Sequence, residues 1–564
     1  MISVSKKKWL EREVNKNLKD KIKQDHKYSE IISKIIISRN FDSTEISCIS
    51  NILNIPNVFK NNSDFNDASD FLINSIIKKE NICILGDYDV DGSASTSLLV
   101  RFFNHINHPH FYYIPDREKD GYGASSKLFQ RLIKKKPKLI ILVDCGSTSN
   151  DAINFLNKNN IKSIIIDHHE INQPYPKSNI IINPKKNNGY LEYDYLCATA
   201  LTYFFLEIVI KKIKSNFEIS NFLIYVLLAT VCDVMPLRRI NKIIANYTIK
   251  NFVIEKNIAI KTLFDLLGLK KKLTINDLGY LIGPIINSGG RLGYSSFGTE
   301  LLSSNDISLV SKKANQLIKL NNKRKDIEKK ILDKIDFEKI KNQRKNVIIV
   351  KDSAINEGLI GIIAARLNEY FNRPSIVITN SKNILKGSAR SINNYNIGRL
   401  VKLLSDKKII EKGGGHNMAA GFTIRKDKFK ILEKFIQNDY LKKNISFDDS
   451  LKYDSEISSS SINKNFTNEI DKLGPFGNSN PSPKFLLRNL KIINTTILNK
   501  KHISAILKPP AGRSFKSICF NCMQTSVGKY LLSYKKNINV IGQIQENIWN
   551  NKKTLQLIIK DVLI

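Results

Sequence analysis

The chain has 564 residues, of which 42% are hydrophobic, 25% are charged and 9% are aromatic. This composition is typical of a soluble globular protein, and the length leaves room for roughly three or four domains of about 150 residues, so core size is not limiting. Lysine and arginine outnumber aspartate and glutamate by 89 to 52. The net charge of +37 favours polyanionic partners, nucleic acid first and anionic membrane surfaces second. Because lysine, asparagine and isoleucine are frequent throughout, charge alone does not separate a nucleic-acid partner from compositional bias.

The sequence contains no targeting or membrane-spanning signal. No apolar run approaches the roughly 18–20 uncharged residues that cross a bilayer, and the opening MISVSKKKWLEREV has no apolar stretch after its lysines. Seven scattered cysteines, an odd number, predict reduced thiols and not a disulfide framework. We therefore expect a cytoplasmic protein without a membrane partner.

In chain order, the first predicted segment, residues 1–75, is polar and helical and carries no recognisable chemistry. In residues 76–305, short apolar runs alternate with amphipathic segments, which predicts βαβ units and a parallel sheet. Residues 197–232 within this segment are apolar and mostly helical. The predicted strands are NICILG (81–86), FYYI (111–114), LIILV (139–143) and SIII (163–166).

The second half begins with residues 306–345, a charged, glycine-free stretch whose apolar residues recur at helical spacing and predict a long exposed connecting helix. Residues 346–445 predict a second α/β unit, with the helix LIGIIAARLNEYF (359–371) between strands NVIIV (346–350) and SIVIT (375–379). Residues 446–564 contain short strands, FLLRNLKII, HISAILK, INVIGQI and TLQLIIKDVLI, that predict a small β domain resembling an OB barrel.

Four hydrophobic elements of the 76–305 segment each lead into carboxylates or imidazoles. In open α/β sheets, ligands bind at the carboxyl edge of the strands, so these side chains are expected to converge on one cleft. The residues concerned are Asp87, Asp89 and Asp91 after the first strand, Asp144 after the third, Asp167, His168 and His169 after the fourth, and Asp233 at the end of the helix LIYVLLATVCD.

Three acids that alternate over five residues are too many for helix capping, and unpaired they would raise one another's pKa values. A divalent cation removes that cost, and oxygen ligands with one or two imidazoles suit Mn²⁺ or Mg²⁺ better than structural zinc. In an extended segment, Asp87, Asp89 and Asp91 face one side. His168 and His169 point differently, so one can bind metal while the other faces substrate.

The motifs GDYDVDG, VDCG, DHHE and VCDVMP resemble the DHH phosphoesterase superfamily, and Asp167-His168-His169 is the triplet that names it. Within that superfamily the chain resembles the RecJ family. The resemblance covers residues 80–425, and the C-terminal β segment stands where RecJ proteins carry an OB fold. The motifs that resemble those of RecJ proteins, in the same order along the chain, are PDREKDGYG (115–123), INP (182–184), NSGGRLG (287–293), EGLIGIIAARL (357–367), GSARS (387–391) and GGGHNMAAGF (413–422).

The resemblance implies a fold made of a DHH domain with a parallel sheet, a connecting helix, an α/β DHH-associated domain and an OB-like barrel. It implies two ions, Mn²⁺ or Mg²⁺, with Asp144 as the bridge. Asp87 and Asp89 would hold the first ion, Asp91, His168 and Asp233 the second, and His169 would support the site or touch the scissile phosphate. Leu85 stands where many relatives have a histidine. This departure leaves the ligands of the first ion open, with Asp87 as the candidate replacement.

Substrate contacts are expected from glycine- and serine-rich loops, where the backbone approaches a phosphate closely and a guanidinium can clamp it bidentately. On the OB-like domain, Phe515, Phe520 and Tyr530 are candidate stacking platforms for bases. The predicted substrate-binding residues are Arg117, Asn287, Arg291, Ser388, Arg390, Gly414, Gly415 and His416.

The resemblance implies a single-stranded-DNA-specific 5′→3′ exonuclease of DNA repair and recombination that hydrolyses phosphodiesters by two-metal catalysis. The expected partners are single-stranded DNA, a single-strand-binding protein and a helicase. Two alternatives remain at this stage. One is a related hydrolase of oligoribonucleotides or cyclic dinucleotides, and the other is a non-catalytic replication scaffold that keeps the fold.

Overall fold

The computed structural model describes residues 1–563 apart from 52, 118, 122, 187–189, 344, 382, 444–449, 534–536 and 550–551. The predicted domain boundary at 445/446 and two positions of the motif at 115–123 therefore lie outside the described residues. The chain forms two compact units. One comprises Met1–Ile55, Pro236–Lys250 and Phe447–Ile564, and the other comprises Pro56–Met235 and Asn251–Ser446. Among the described residues, no helix is both long enough and apolar enough to cross a bilayer.

The first 55 residues contain one strand and three helices. The third helix begins with a capping box, in which the Asp42 side chain accepts from the Glu45 backbone and the Glu45 side chain from that of Asp42. Apolar residues of the second helix, among them Ile35 and Ile36, are buried in the core of the first unit. The elements are β1 (Trp9–Glu11), α1 (Lys16–His26), α2 (Glu30–Ser38) and α3 (Ser43–Ser50).

The second unit contains a five-stranded, fully parallel sheet in the order β3-β2-β4-β5-β6, which confirms the predicted parallel sheet. The edge strand β6 was not predicted, because its three isoleucines follow a proline-containing polar loop that reads as a turn. The elements are α4 (Ser63–Ile77), β2 (Ile82–Leu85), α5 (Val90–His105), β3 (His110–Tyr113), α6 (Ser126–Leu132), β4 (Leu139–Val143), α7 (Asn150–Lys158), β5 (Lys162–Ile166) and β6 (Ile180–Ile182).

A run of helices follows the sheet. The predicted helix over 306–345 ends at Lys334, because Ile335 is extended and Asp336 caps a separate short helix. It is also only partly exposed, since Val310, Leu317 and other residues of one face are buried. The helices are α8 (Ala198–Lys212), α9 (Leu223–Cys232), α10 (Arg239–Asn251), α11 (Ile258–Leu266), α12 (Ile275–Asp277), α13 (Gly283–Arg291), α14 (Phe297–Ser303), α15 (Ile307–Lys334) and α16 (Phe337–Asn342), with a π-helical turn at Leu278–Ile282.

The DHH-associated region forms a second sheet in the order β10-β11-β9-β8-β7. Only β7 and β8 are parallel, and α17 connects them as the sequence predicts. The elements are β7 (Ile348–Lys351), α17 (Ile360–Phe371), β8 (Ser375–Ser381), β9 (Ile384–Arg390), α18 (Ile397–Asp406), β10 (Lys412–Gly415), β11 (Ala419–Arg425) and α19 (Phe429–Lys442).

The C-terminal region is a closed five-stranded barrel in the order β14-β15-β16-β18-β17, with β17 pairing back to β14. Within the barrel only β16 and β18 are parallel, which confirms the OB-like prediction. The elements are β12 (Leu451–Tyr453), β13 (Ser455–Glu456), α20 (Lys464–Lys472), β14 (Phe485–Leu498), β15 (His502–Lys508), β16 (Phe515–Cys519), α21 (Ser526–Ser533), β17 (Asn537–Trp549) and β18 (Lys552–Leu563).

The N-terminal strand is joined to the C-terminal region by backbone and side-chain contacts. Strand β1 pairs in parallel with β12. The buried Trp9 donates from Nε1 to Asp561 Oδ2 at 2.9 Å, and Ser5 Oγ donates to Asp561 Oδ1 at 3.0 Å. A buried carboxylate is costly without hydrogen-bond donors. Residues 1–11 supply such donors and therefore stabilise the barrel.

We expect Trp9→Phe to lower the free energy of unfolding by about 1–3 kcal/mol, because it leaves one oxygen of the buried Asp561 carboxylate without its donor. Chemical denaturation monitored by circular dichroism measures this change. Leu10→Ala on the same strand is the control, since the Leu10 side chain is exposed. Equal losses in the two variants would contradict a specific role of the Trp9–Asp561 hydrogen bond.

Candidate active site

The carboxyl edge of the parallel sheet collects the acidic and imidazole side chains. Asp87, Asp144 and Asp167 each lie within two residues of the ends of the adjacent strands β2, β4 and β5. Asp233 arrives from another direction as the C-terminal cap of α9. Because parallel strands end at the same edge of a sheet, residues far apart in sequence share one small volume.

Three groups of potential ligand atoms form at this edge, and within each group the atoms lie within 4.8 Å of one another. The His168 Nε2 atom is 3.4 Å from Asp144 Oδ1, 3.4 Å from Asp233 Oδ2 and 3.6 Å from Asp91 Oδ2. Burial holds the pKa of His168 well below its usual value, so the ring is neutral and can bind a cation. The groups are Asp87-Asp89-Asp144, Asp91-His168-Asp233 and Asp144-His168-His169.

Asp144 is the carboxylate shared by two of these groups, as His168 is the shared imidazole. Its carboxylate is buried, and among the described residues no donor makes a hydrogen bond to either oxygen, since the His168 nitrogen lies outside hydrogen-bond geometry. Burial, then the charge of Asp91, raises its pKa well above the usual value. Its backbone has φ of 59°, a left-handed conformation that costs about 1–3 kcal/mol. An orphaned, strained and buried carboxylate among other acids fits a site that a divalent cation completes.

Asp91 is held by the N-terminus of α8. Its Oδ2 accepts from the Ala198 backbone at 2.7 Å, and its Oδ1 accepts from the Thr199 backbone at 2.8 Å and hydroxyl at 2.6 Å. Burial raises the pKa of Asp91 to about 6, although the Thr199 hydrogen bonds oppose this. The helix end therefore fixes the orientation of the carboxylate that approaches His168.

Asp167 has a supporting role that sequence reasoning missed. One oxygen accepts from the Ser147 backbone at 3.0 Å, and the other lies 2.8 Å from His169 Nδ1. Burial opposes ionisation of Asp167, but the charge of His169 and its hydrogen bond lower the pKa of Asp167 below its usual range. Burial likewise opposes protonation of His169, but Asp167 raises its pKa to about 9. Asp167 thus orients a protonated His169, and its place in the DHH triplet was the available signal.

Leu85 is fully buried in the core of the sheet, so it contributes no ligand. Asp87 instead lies with Asp89 and Asp144. Burial, then the charge of Asp89, raises the pKa of Asp87 to about 8. Asp89 caps α5 by accepting from the Gly92 backbone at 3.0 Å. The replacement of the missing histidine by Asp87 stays a prediction.

A cleft of about 170 Å³ opens beside these carboxylates, and basic side chains line it. Burial, then the neighbouring charges of Arg117, Arg324 and Arg390, lowers the pKa of Arg291 to about 10. Guanidinium groups crowded in this way favour an anion such as phosphate. The lining residues are Asp87, Tyr88, Asp89, Arg117, His169, Asn287, Gly290 and Arg291.

Asn287 lines the cleft but also has a structural contact. Its Oδ1 accepts from the Val90 backbone at 3.1 Å, in the segment between Asp89 and Asp91. Asn287 therefore helps to hold the acidic segment in place, and its NH2 group can donate to a substrate phosphate, as predicted.

The DHH-associated region brings further predicted residues to the same place. The His416 ring stacks 6.1 Å from that of His169, and its Nδ1 is 3.7 Å from Glu170 Oε1. Gly414 and Gly415, which precede His416, are exposed on β10. The remaining two predicted residues lie on β9, where Arg390 Nη1 donates to Ser388 Oγ at 3.4 Å.

The predicted stacking residues of the barrel differ in exposure. Phe515 and Tyr530 pack against the barrel core, so they contribute to stability. Phe520 is 49% exposed and contacts the His502 ring edge-on, with the ring centroids 5.3 Å apart. Of the three, Phe520 alone presents a large exposed ring that a base could stack on.

Comparison with family models agrees with this architecture. The N-terminal domain of the DHH family matches residues 81–230, the DHHA1 domain matches 344–440, and the RecJ OB domain matches 453–561. With its sheet-edge cluster of carboxylates and histidines, the chain belongs to the DHH family. The three matched domains, in this order, place it in the RecJ family.

Individual relatives agree with this placement. The chain is 27% identical to the single-stranded-DNA-specific exonuclease RecJ of Bacillus subtilis, over 99% of this chain and 71% of the relative. It is 28% identical to RecJ of Haemophilus influenzae, over 84% and 87%. The structure of Thermus thermophilus RecJ in complex with Mn²⁺ superposes with a TM-score of 0.81 at 19% identity, over 98% of this chain and 79% of that chain.

Proposed function

We propose that this protein is a single-stranded-DNA-specific 5′→3′ exonuclease that hydrolyses phosphodiester bonds with two divalent cations, Mn²⁺ or Mg²⁺. The observation that carries the proposal is the buried Asp144 carboxylate, which has no hydrogen-bond donor within the described part of the chain and is shared by two groups of potential ligands. Two relatives named single-stranded-DNA-specific exonuclease match 99% and 84% of the chain, and two similar RecJ structures are complexes with Mn²⁺ and with Mg²⁺.

Asp87, Asp89 and Asp144 would hold one cation, and Asp91, His168 and Asp233 the other. When bound, such a pair lowers the pKa of a shared water and neutralises charge on the scissile phosphate. His169 keeps a proton because Asp167 orients and stabilises its charged form. The protonated ring therefore donates to a phosphate oxygen in the cleft.

The basic side chains of the cleft would bind the DNA backbone. Arg291 and Arg117 line it from the DHH domain, while Arg390, Ser388 and His416 approach from the DHH-associated domain. Phosphate groups supply most of the affinity in such contacts, and they carry no sequence information. We therefore expect hydrolysis with little sequence preference and with strong salt dependence.

The alternatives explain fewer features. A hydrolase of short oligoribonucleotides or cyclic dinucleotides has no use for an OB barrel, which typically binds an extended strand. A replication scaffold needs no complete set of carboxylate and imidazole ligands. The length of the substrates that are cleaved distinguishes the small-substrate hydrolase from the proposed exonuclease. Detectable turnover distinguishes the scaffold from both enzymes.

The test uses purified protein, Mn²⁺ or Mg²⁺, and single-stranded DNA with phosphorothioate linkages at one end. We expect a 5′ block to stop degradation and a 3′ block to leave it unchanged. Degradation halted only by the 3′ block would overturn the polarity while keeping the phosphodiesterase. Activity restricted to di- to pentanucleotides would favour the small-substrate hydrolase, and no cleavage with either ion would favour the scaffold.

An exonuclease restricted to single strands can act on a duplex only after another protein has separated the strands. The separated strands are typically bound by a single-strand-binding protein. We therefore propose a helicase and a single-strand-binding protein as partners in DNA repair and recombination. Seven free cysteines favour the reducing cytoplasm as the compartment. Reconstituted degradation of duplex DNA with and without a helicase tests the functional coupling.

A further inference from the structure

The connection between β3 and α6 carries Arg117 into the cleft and also contains a carboxylate that the proposed mechanism does not use. This carboxylate belongs to Asp120, whose side chain is only 3% exposed. A buried charge is costly unless it is paired and hydrogen-bonded, so its partners indicate its role.

The partners of Asp120 belong to both elements that flank the connection. Its Oδ2 accepts from Tyr113 Oη at 2.8 Å and from the Asp116 backbone at 2.9 Å. Its Oδ1 forms an ion pair with the guanidinium of Arg131. Tyr113 is the last residue of β3 and Arg131 lies in α6, so one carboxylate ties the connection to a strand and to a helix.

The same carboxylate closes a tight loop around Arg117. The Asp120 backbone donates to the Asp116 carbonyl at 2.8 Å, and the Gly121 backbone donates to it at 3.2 Å. Residues 116 and 120 are thereby joined by the backbone as well as by the Asp120 side chain. Arg117 directly follows Asp116, so the direction of the Arg117 side chain depends on the hydrogen bonds that join residues 116 and 120.

The Arg117 guanidinium lies over an aromatic ring, and among the residues that the structure describes it forms no ion pair with a carboxylate. Its guanidinium carbon lies 4.3 Å from the centroid of the Tyr88 ring, and its buried Nε makes no hydrogen bond within the described residues. It lines the cleft beside Asp89 and Arg291. A guanidinium on a ring face keeps its donors for a ligand, because a cation–π contact occupies none of them.

We propose that Asp120, together with Tyr113 and Arg131, is a positioning residue that holds Arg117 against Tyr88 and directs it at a substrate phosphate. This inference rests on the proposed function and adds a determinant of substrate binding to it. A side chain that is already held in its phosphate-binding conformation loses little conformational entropy on binding. A small displacement of such a side chain reduces the rate strongly.

The test is a double-mutant cycle with Asp120→Asn and Arg117→Ala, measured as kcat/KM on single-stranded DNA. Each single variant is expected to lose about tenfold to a hundredfold, mainly through KM. The double variant is expected to lose no more than Arg117→Ala alone, because Asp120 acts through Arg117. Arg131→Lys, which keeps a cation near Asp120, is expected to retain more activity than Arg131→Ala.

The matched control is Glu80→Gln, which removes the Glu80–Lys162 ion pair at the amino edge of the same sheet and leaves the activity unchanged. Losses from Asp120→Asn and Arg117→Ala that multiply in the double variant would overturn the inference, as would a fully active Asp120→Asn. Binding of labelled DNA in an Asp144→Asn background repeats the cycle without turnover. An inactive unmodified enzyme would defeat the proposed function, whereas the binding cycle still decides the role of Asp120.

Discussion

Asp144→Asn is expected to lower the rate of DNA hydrolysis by at least about a thousandfold, because a two-metal site supplies several kcal/mol and each 1.4 kcal/mol is tenfold in rate. Asn is the appropriate replacement, since this position has φ of 59°, a conformation that Asn tolerates well. Rates of release of labelled nucleotides in Mn²⁺ measure the loss. Retention of more than a few per cent of the activity would contradict the bridging role of Asp144.

The same variant is expected to raise the melting temperature of the metal-free protein. Asp144 is buried, none of the described residues donates a hydrogen bond to its carboxylate, and burial and then neighbouring acids oppose its ionisation. A neutral amide removes that repulsion, so stability rises as function is lost. Thermal unfolding in EDTA tests this effect, and an unchanged or lower melting temperature would show that the carboxylate is not destabilising in the fold.

Removal of divalent cations is expected to abolish turnover, and Mn²⁺ is expected to restore it and to stabilise the fold. At a free concentration one hundred times the dissociation constant, one site contributes about 2.7 kcal/mol to the free energy of unfolding. Differential scanning calorimetry of EDTA-treated protein with added Mn²⁺ measures this gain.

Two variants make the metal experiment specific. Asp144→Asn should lose most of the stabilisation by Mn²⁺, because it removes a ligand shared by two groups. Glu80→Gln should keep it, because Glu80 lies at the opposite edge of the sheet. An equal rise in all three proteins would indicate cation binding elsewhere on the surface.

Much of the fold could be predicted because its determinants are local. The four predicted strands between residues 81 and 166 are apolar runs, and they match the structure within one residue at each end. The elements that the sequence did not predict include several with weak local signals. Strand β6 has three residues, β16 carries lysine and serine between apolar positions, and the end of α15 depends on a single capping aspartate.

The class of chemistry could be predicted from the residues alone, since the alternating acids of 87–91 and the DHH triplet follow strands that must end at one edge. How those groups are held follows from packing between distant segments. The Ala198 backbone donates to Asp91 and the Val90 backbone donates to Asn287, while outside the site Trp9 donates to Asp561 from 552 residues away. Periodicity and spacing reflect local backbone geometry, whereas a hydrogen bond between distant residues exists only once the chain has packed.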